Sequence, residues 1–166
     1  DWKAQFAYNR IGEYYASQEQ YVSALPYICQ ALQLRPDERG NQARFNQLGE
    51  QITTLFQDDP AGLYDEIIKD SVFEKSDSQG IRFLDSACEE EICAFTFGLQ
   101  SREPEVILPF LILARTGRDE FVEIIGSFLS PDGAQAQLQT EARFGNDQIT
   151  FLFPTCEARY YEVVSQ

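Results

Sequence analysis

The stretch IRFLDSACEEEICAFTFGL, residues 81–99, decides how the chain is read, because the spacing of apolar side chains changes there from helical to alternating. In its second half Cys93, Phe95, Phe97 and Leu99 fall on one face of an extended chain, where side chains repeat every second residue. Residues 81–87 and 92–99 are therefore expected to be two strands, joined through CEEEIC, Cys88 to Cys93. With four residues between them at facing strand ends, these cysteines can reach disulfide distance. A ring so short stabilises by about 2 kcal/mol, and its main effect is to fix the turn.

Working outward toward the C-terminus, the alternation continues. In residues 134–144, Ala134, Ala136, Leu138, Ala142 and Phe144 alternate with Gln135, Gln137, Gln139, Glu141 and Arg143. Pro131, Asp132 and Gly133 supply a turn before this segment, and Gly145, Asn146 and Asp147 supply one after it. Ile149, Phe151 and Phe153 then alternate inward, and residues 160–164 form a last strand. Residues 121–129 read as one strand. Residues 106–114 read as another, pushed to a sheet edge by Pro109, although a short helix fits the same apolar run. Successive strands with short turns imply an antiparallel sandwich or barrel.

Working outward toward the N-terminus, the period is that of a helix. Phe6, Tyr8, Ile11 and Tyr15, then Ala24, Ile28 and Ala31, recur at three- and four-residue intervals, with polar residues 17–20 between the two runs. Pro36 and Asp37 are expected to end the second helix and cap a third. That helix covers residues 42–56, with Phe45, Leu48, Ile52 and Leu55 on one face, and stops at Asp58, Asp59 and Pro60. Residues 63–68 add a short fourth helix, and KSDSQG, residues 75–80, reads as a linker. The fold class is thus α+β, with a helical part over 1–75 and a β-rich part over 76–166.

Composition narrows the function. The chain has 166 residues, 43% of them hydrophobic, with 13 Phe, 8 Tyr and one Trp, which is enough for a packed core. Its longest apolar run, 106–114, is too short to span a bilayer. It opens on Asp1 and contains no Met, as expected of a mature or trimmed product whose export signal or anchor lies upstream. A formal charge of −14 repels phosphate backbones and anionic lipid, so neither nucleic acid nor a membrane surface is an expected partner. Acidity of this size serves solubility or suits a basic partner.

Four cysteines, at 29, 88, 93 and 156, form no C-x-x-C, and the chain has no His, so zinc, copper and haem ligand sets are missing. Disulfides in an oxidising compartment account for them better. A bond between Cys29 and Cys156 would enclose most of the chain, stabilise by about 5 kcal/mol and clamp the helical part onto the sheet. Four buried free thiols are the alternative for both pairs.

Tyr8, Ile11, Gly12, Tyr15, Ala24, Ile28, Ala31 and Pro36 stand where a tetratricopeptide repeat favours them, and residues 5–38 resemble one such repeat. Pro26 departs from the pattern and is tolerable only in the first turn of its helix. A single repeat cannot bury its own face and must pack on other helices, the β part or a partner. Residues 80–164 resemble the invasion-associated locus B family, through Cys88 and Cys93, through FLSPDG at 128–133, and through Cys156 followed by Glu157 and Ala158. The family usually supplies a second late cysteine, and none lies here between Cys93 and Cys156, a departure that leaves Cys156 free to bond Cys29. The resemblance implies a periplasmic or outer-surface β-sandwich of a Gram-negative bacterium without established enzymatic activity.

Lack of His removes Ser-His and Cys-His nucleophile pairs, and no Gly-rich phosphate loop occurs. No cofactor, metal site or small-molecule substrate is expected. Glu89, Glu90 and Glu91 read as a solvated cluster on a hairpin tip, and Asp58 with Asp59 as a helix terminator. The leading expectation is a non-catalytic periplasmic interaction protein, an accessory subunit of a larger envelope or membrane-embedded assembly. Tyr8, Tyr14, Tyr15 and Tyr21 are its candidate interface anchors, though most of these tyrosines are expected in the core. An acidic immunity or inhibitor protein against a basic secreted toxin is the alternative, with Glu89, Glu90 and Glu91 entering a positive cleft. A carboxylate-based hydrolase is the third reading.

Overall fold

A computed structural model describes residues 2–69, 71–76, 80–99, 108, 111–117, 119–122, 124–129, 135–141 and 148–165. Helices precede strands, giving an α+β fold: α1 (Trp2–Ser17), α2 (Tyr21–Leu34), α3 (Arg39–Asp58) and α4 (Pro60–Lys69) come first. Nine strands follow among the described residues: β1 (Glu74–Lys75), β2 (Ile81–Glu89), β3 (Ile92–Leu99), β4 (Leu113–Thr116), β5 (Phe121–Val122), β6 (Ile124–Leu129), β7 (Gln135–Glu141), β8 (Ile149–Pro154) and β9 (Arg159–Val164). The chain divides into two units. One comprises Asp1–Glu74 with Val106–Leu111 and Pro154–Arg159; the other comprises Lys75–Glu105, Ile112–Phe153 and Tyr160–Gln166.

In the helical unit, α1 turns into α2 through Glu19, whose φ of 59° is left-handed. The N–H of Gln20 reaches the carbonyl of Tyr15 and that of Glu19 the carbonyl of Ala16, which closes α1 in a Schellman arrangement without a glycine. The two helices approach closely at Gly12. A Cβ built there would lie 2.5 Å from Ile28 Cδ1 and 2.7 Å from Ile28 Cγ1. Gly12→Ala is expected to destabilise by about 1–3 kcal/mol through overpacking. Adding Ile28→Val, which removes Cδ1, should recover part of the loss in a double-mutant urea-unfolding cycle. Two additive losses would place the crowding elsewhere.

Two expectations about these helices need correction. Pro26 does not stand in the first turn of α2 but beyond it, inside the helix and buried, so the helix continues without one backbone donor. Asp37 does not cap α3. That position belongs to Glu38, which offers no side-chain bond, while the Gln42 amide reaches back to the Pro36 carbonyl at 2.6 Å. Asp59 does more than terminate α3. Its Oδ1 accepts from the Gly62 N–H at 3.0 Å, which makes it the N-cap of α4.

The three-helix junction is held by Asn41, which is fully buried on α3. Its amide nitrogen donates to the carbonyls of Ala31 and Arg35, both at 3.2 Å, and so closes the end of α2. Its oxygen accepts from Asn9 on α1 at 2.8 Å and from Gln5 at 3.3 Å. Asn41→Ala removes four hydrogen bonds together and leaves the buried Asn9 amide without its acceptor, while the Ala31 and Arg35 carbonyls keep the N–H groups of Arg35 and Glu38, for a loss of about 2–3 kcal/mol. Asn9→Ala should cost about 1 kcal/mol, since Asn9 Oδ1 finds no hydrogen-bond partner among the described residues. Chemical denaturation of the two variants checks the order; equal losses would argue against Asn41 as the hub.

The strands form two sheets, ordered β1-β9-β8-β4-β5 and β2-β3-β7-β6. They face each other through aromatic rings. Phe97 of β3 meets Phe151 and Phe153 of β8 at centroid distances of 5.0 and 5.1 Å, and Phe95 meets Phe151 at 5.1 Å. β7 follows the expected alternation, with Leu138 and Thr140 buried and Gln137 and Gln139 exposed. Its pairings with β3 and β6 are antiparallel. The short β1 is different. The N–H groups of Glu74 and Ser76 reach the carbonyls of Ala158 and Tyr160, a parallel progression at the sheet edge.

Two strand readings change. Residues 121–129 are not one strand but β5 and β6, which belong to different sheets. Of the described residues of the run 106–114, which are 108 and 111–114, Leu113 and Ala114 enter a strand, and β4 is no edge: it lies between β8 and β5, pairing Leu113 with Leu152 and Ala114 with Val122. Pro109 lies outside the described residues, as do linker residues 77–79 and the turn residues Pro131, Asp132, Gly133, Gly145, Asn146 and Asp147, together with Ala134, Ala142 and Phe144.

Candidate functional site

Both disulfides form, and no cysteine is free. Cys88 and Cys93 stand directly opposite each other in the β2–β3 register, with Cα atoms 4.0 Å apart. That spacing marks a non-hydrogen-bonded pair, so the backbone groups of Cys88 and, two residues on, Ser86 point away from β3. The Ser86 N–H is taken by its neighbour's carboxylate, Asp85 Oδ1, at 2.8 Å. A bulge between Phe83 and Asp85 further breaks the edge. Charge and bulge together guard an edge strand against unwanted pairing. Glu89, Glu90 and Glu91 are all exposed at the tip, and Glu90 has a φ of 56°.

Cys29 of α2 joins Cys156, and both half-cystines are buried. Cys156 lies in Pro154–Arg159, the connection between β8 and β9, which is part of the helical unit. The bridge therefore lies within that unit. A hydrogen bond from Gln30 Nε2 to the Cys156 carbonyl at 3.1 Å supports it.

None of the four candidate tyrosines is fully buried, contrary to the core expected for most of them. Tyr14 is exposed, while Tyr8, Tyr15 and Tyr21 are half-buried. Tyr15 stacks on Tyr27 at 5.7 Å, and Tyr14 meets Tyr15 edge-on at 5.8 Å. Burial first, then the Tyr15 and Tyr8 hydroxyls, holds the Tyr27 phenol above the usual tyrosine range.

What the tyrosine reading missed is a ridge on the outer side of α1. Trp2 (64% exposed), Phe6 (55%) and Tyr14 (64%) follow at intervals of four, with Arg10 in the remaining place, and Ile11 (41%) flanks the row at Tyr14 alone. Residues at this spacing form one row along a helix. The Arg10 guanidinium lies 5.7 Å from the Phe6 ring centroid, a cation–π contact. Of eight large apolar side chains left exposed among the described residues, four are on α1. Phe6 and Ile11, which belong to the helical apolar repeat, stand on the solvent side because α1 meets its neighbours through Asn9 and Gly12. A helix carrying apolar residues on both sides gives this away in sequence.

No family model matches the chain, and no curated protein matches it. Among solved structures it is similar to the N-terminal part of the bacterial S-layer protein SbsC, at 11% identity and a TM-score of 0.31, over 98% of this chain and 38% of that one. A likeness of that size assigns neither fold nor function.

Elsewhere the described residues offer little chemistry. They contain no group of three potential metal ligands, and no helix is long and apolar enough to cross a membrane. A shallow open depression on α3, lined by Phe45, Gly49, Thr53 and neighbours, has its hydroxyls turned inward. Thr53 Oγ1 donates to the Gly49 carbonyl and Thr54 Oγ1 to that of Glu50. The α1 ridge gathers more exposed large apolar side chains than any other described element.

Proposed function

We propose that this chain is a non-catalytic interaction protein of an oxidising extracytoplasmic compartment, an accessory subunit docked on a larger envelope assembly. The α1 ridge is the observation that carries the reading. Solvent-exposed Trp, Phe and Tyr in one row with Arg10 have the composition of an interface core. Two formed disulfides suit a periplasmic or outer-surface setting. Close approach of α1 and α2 at Gly12 and the small Ala24 and Ala31 suits the tetratricopeptide-like reading, and the disulfide-braced strands suit the locus B likeness. A photo-reactive residue at Phe6 should give discrete adducts in intact envelopes, lost when Trp2 and Tyr14 become Ser. The same residue at Glu50 on α3 should give none. Adducts that are equal at both sites, or absent at both, would remove the ridge as the docking surface.

A second reading has its own observation. The exposed Glu89, Glu90 and Glu91 sit on a tip braced by Cys88–Cys93, in a chain of charge −14, as an inhibitor of a basic toxin requires. Binding would then weaken steeply as salt rises and would be lost on Glu89→Lys with Glu91→Lys. Salt-independent binding would discard it.

A further inference from the structure

We propose that the outer face of α1 receives a second copy of this chain, α1 lying antiparallel on α1 about a two-fold axis level with Tyr8. This rests on the reading of the ridge as an interaction surface and names its occupant. In a two-fold contact residue i meets j and j meets i, so a surface that fits itself must be complementary about its own midpoint. The α1 ridge has that property. Reversed about Tyr8, Trp2 falls opposite Tyr14 of the second copy, and Phe6 falls opposite its Arg10. Each pairing occurs twice. Trp on Tyr is an aromatic contact, and Arg10 on Phe6 repeats between copies the cation–π contact already present at 5.7 Å within one. The same reversal sets Lys3 level with Glu13, which already accepts from Arg44 Nε at 2.8 Å.

Charge points the same way. The whole chain is −14, so two copies repel over most approaches. α1 carries two basic side chains, Lys3 and Arg10, against one acidic, Glu13, so its face takes no part in the negative excess that keeps two copies apart. Area sets the strength. The exposed parts of Trp2, Phe6 and Tyr14 amount to roughly 450 Å² per copy, from the usual size of such side chains. A stable dimer buries about 800 Å² per partner, so this pairing is weak and concentration-dependent. Added salt strengthens it by screening the mutual repulsion, the opposite of what a basic partner would do.

The only Trp in the sequence, Trp2, lies in the contact and reports on it directly. Sedimentation velocity and Trp emission of the purified chain, from about 1 µM to about 1 mM, should show a dimer with a blue-shifted emission, stronger at about 0.5 M than at about 0.05 M salt. Trp2→Glu and Tyr14→Lys each alter a solvent-exposed side chain and should each weaken self-association by about tenfold or more. Mixed, the two variants should pair again, because the carboxylate introduced in one then faces the ammonium introduced in the other, while the opposite end keeps Tyr14 on Trp2. Recovery in the mixture is expected only of the antiparallel register. A chain that stays monomeric throughout, a dimer indifferent to both variants, or an emission shift seen only with phosphatidylcholine vesicles overturns the self-pairing. If the chain is monomeric yet Phe6 still cross-links in envelopes, self-pairing falls and the interaction reading stands; if both fail, both fall.

Discussion

Replacing Cys29 and Cys156 together by Ala should lower stability by about 5 kcal/mol, against about 2 kcal/mol for the same change at Cys88 and Cys93. The difference comes from the unfolded chain. The first bridge joins residues separated by 127 positions and the second joins residues separated by 5. Closing the larger ring removes far more conformational freedom from the denatured ensemble. The native surroundings push in the same direction. Cys29 and Cys156 are buried, and Ala keeps the site apolar, so the loss measures the cross-link more than a newly buried hydroxyl. Cys88 is exposed at a tip already paired along eight register positions. Urea unfolding followed by Trp2 emission reads the helical unit, and non-reducing peptide mapping of the parent identifies the pairs. Equal losses for the two double variants, or a parent with reduced Cys29, would remove the long ring from the account of stability and weaken the case for an oxidising compartment.

The parts of this fold that sequence makes legible are those whose causes are local. The Cys88–Cys93 hairpin follows from alternation on β3 and a four-residue gap, and its register needs no knowledge of the rest. β7 is equally plain, since its Gln residues alternate with apolar ones and exposure obeys that period. Where the cause is distant, reading fails. Asn41 caps α2 from another helix, and a lone Asn in a polar stretch carries no sign of the carbonyls it will meet. Residues 121–129 have the composition of one strand, yet the partners of β5 and β6 lie in different sheets. The α1 ridge lies between these cases. Its spacing is visible, but Phe6 and Ile11 look like core until Asn9 and Gly12 are found on the buried side. Close approach of two helices favours small residues at the contact, and that leaves the large ones outside.

Phe97→Ala is the second large effect, a loss of about 3–5 kcal/mol confined to the β-rich unit. Phe97 is fully buried, and its ring is within 5.0–5.1 Å of Phe151 and Phe153 on the facing sheet. It also meets Phe83 on the neighbouring strand at 6.1 Å. Truncation therefore removes the burial of one ring and also opens a cavity bounded by three others, none of which can close it without leaving its own strand position. Phe83→Ala should cost less, because Phe83 is half-buried and touches this cluster from its rim. Phe97→Leu keeps much of the volume and should recover more than half of the loss. Amide exchange gives the local reading: β3, β7 and β8 amides should lose protection in Phe97→Ala, while the α2 amides around Ile28 keep theirs. If Phe83→Ala proves as damaging as Phe97→Ala, the rings do not join the two sheets and the sandwich is held from another point. If α2 loses protection as well, the two units unfold as one, and the Cys29–Cys156 variant should then lose β-sheet protection in the same way.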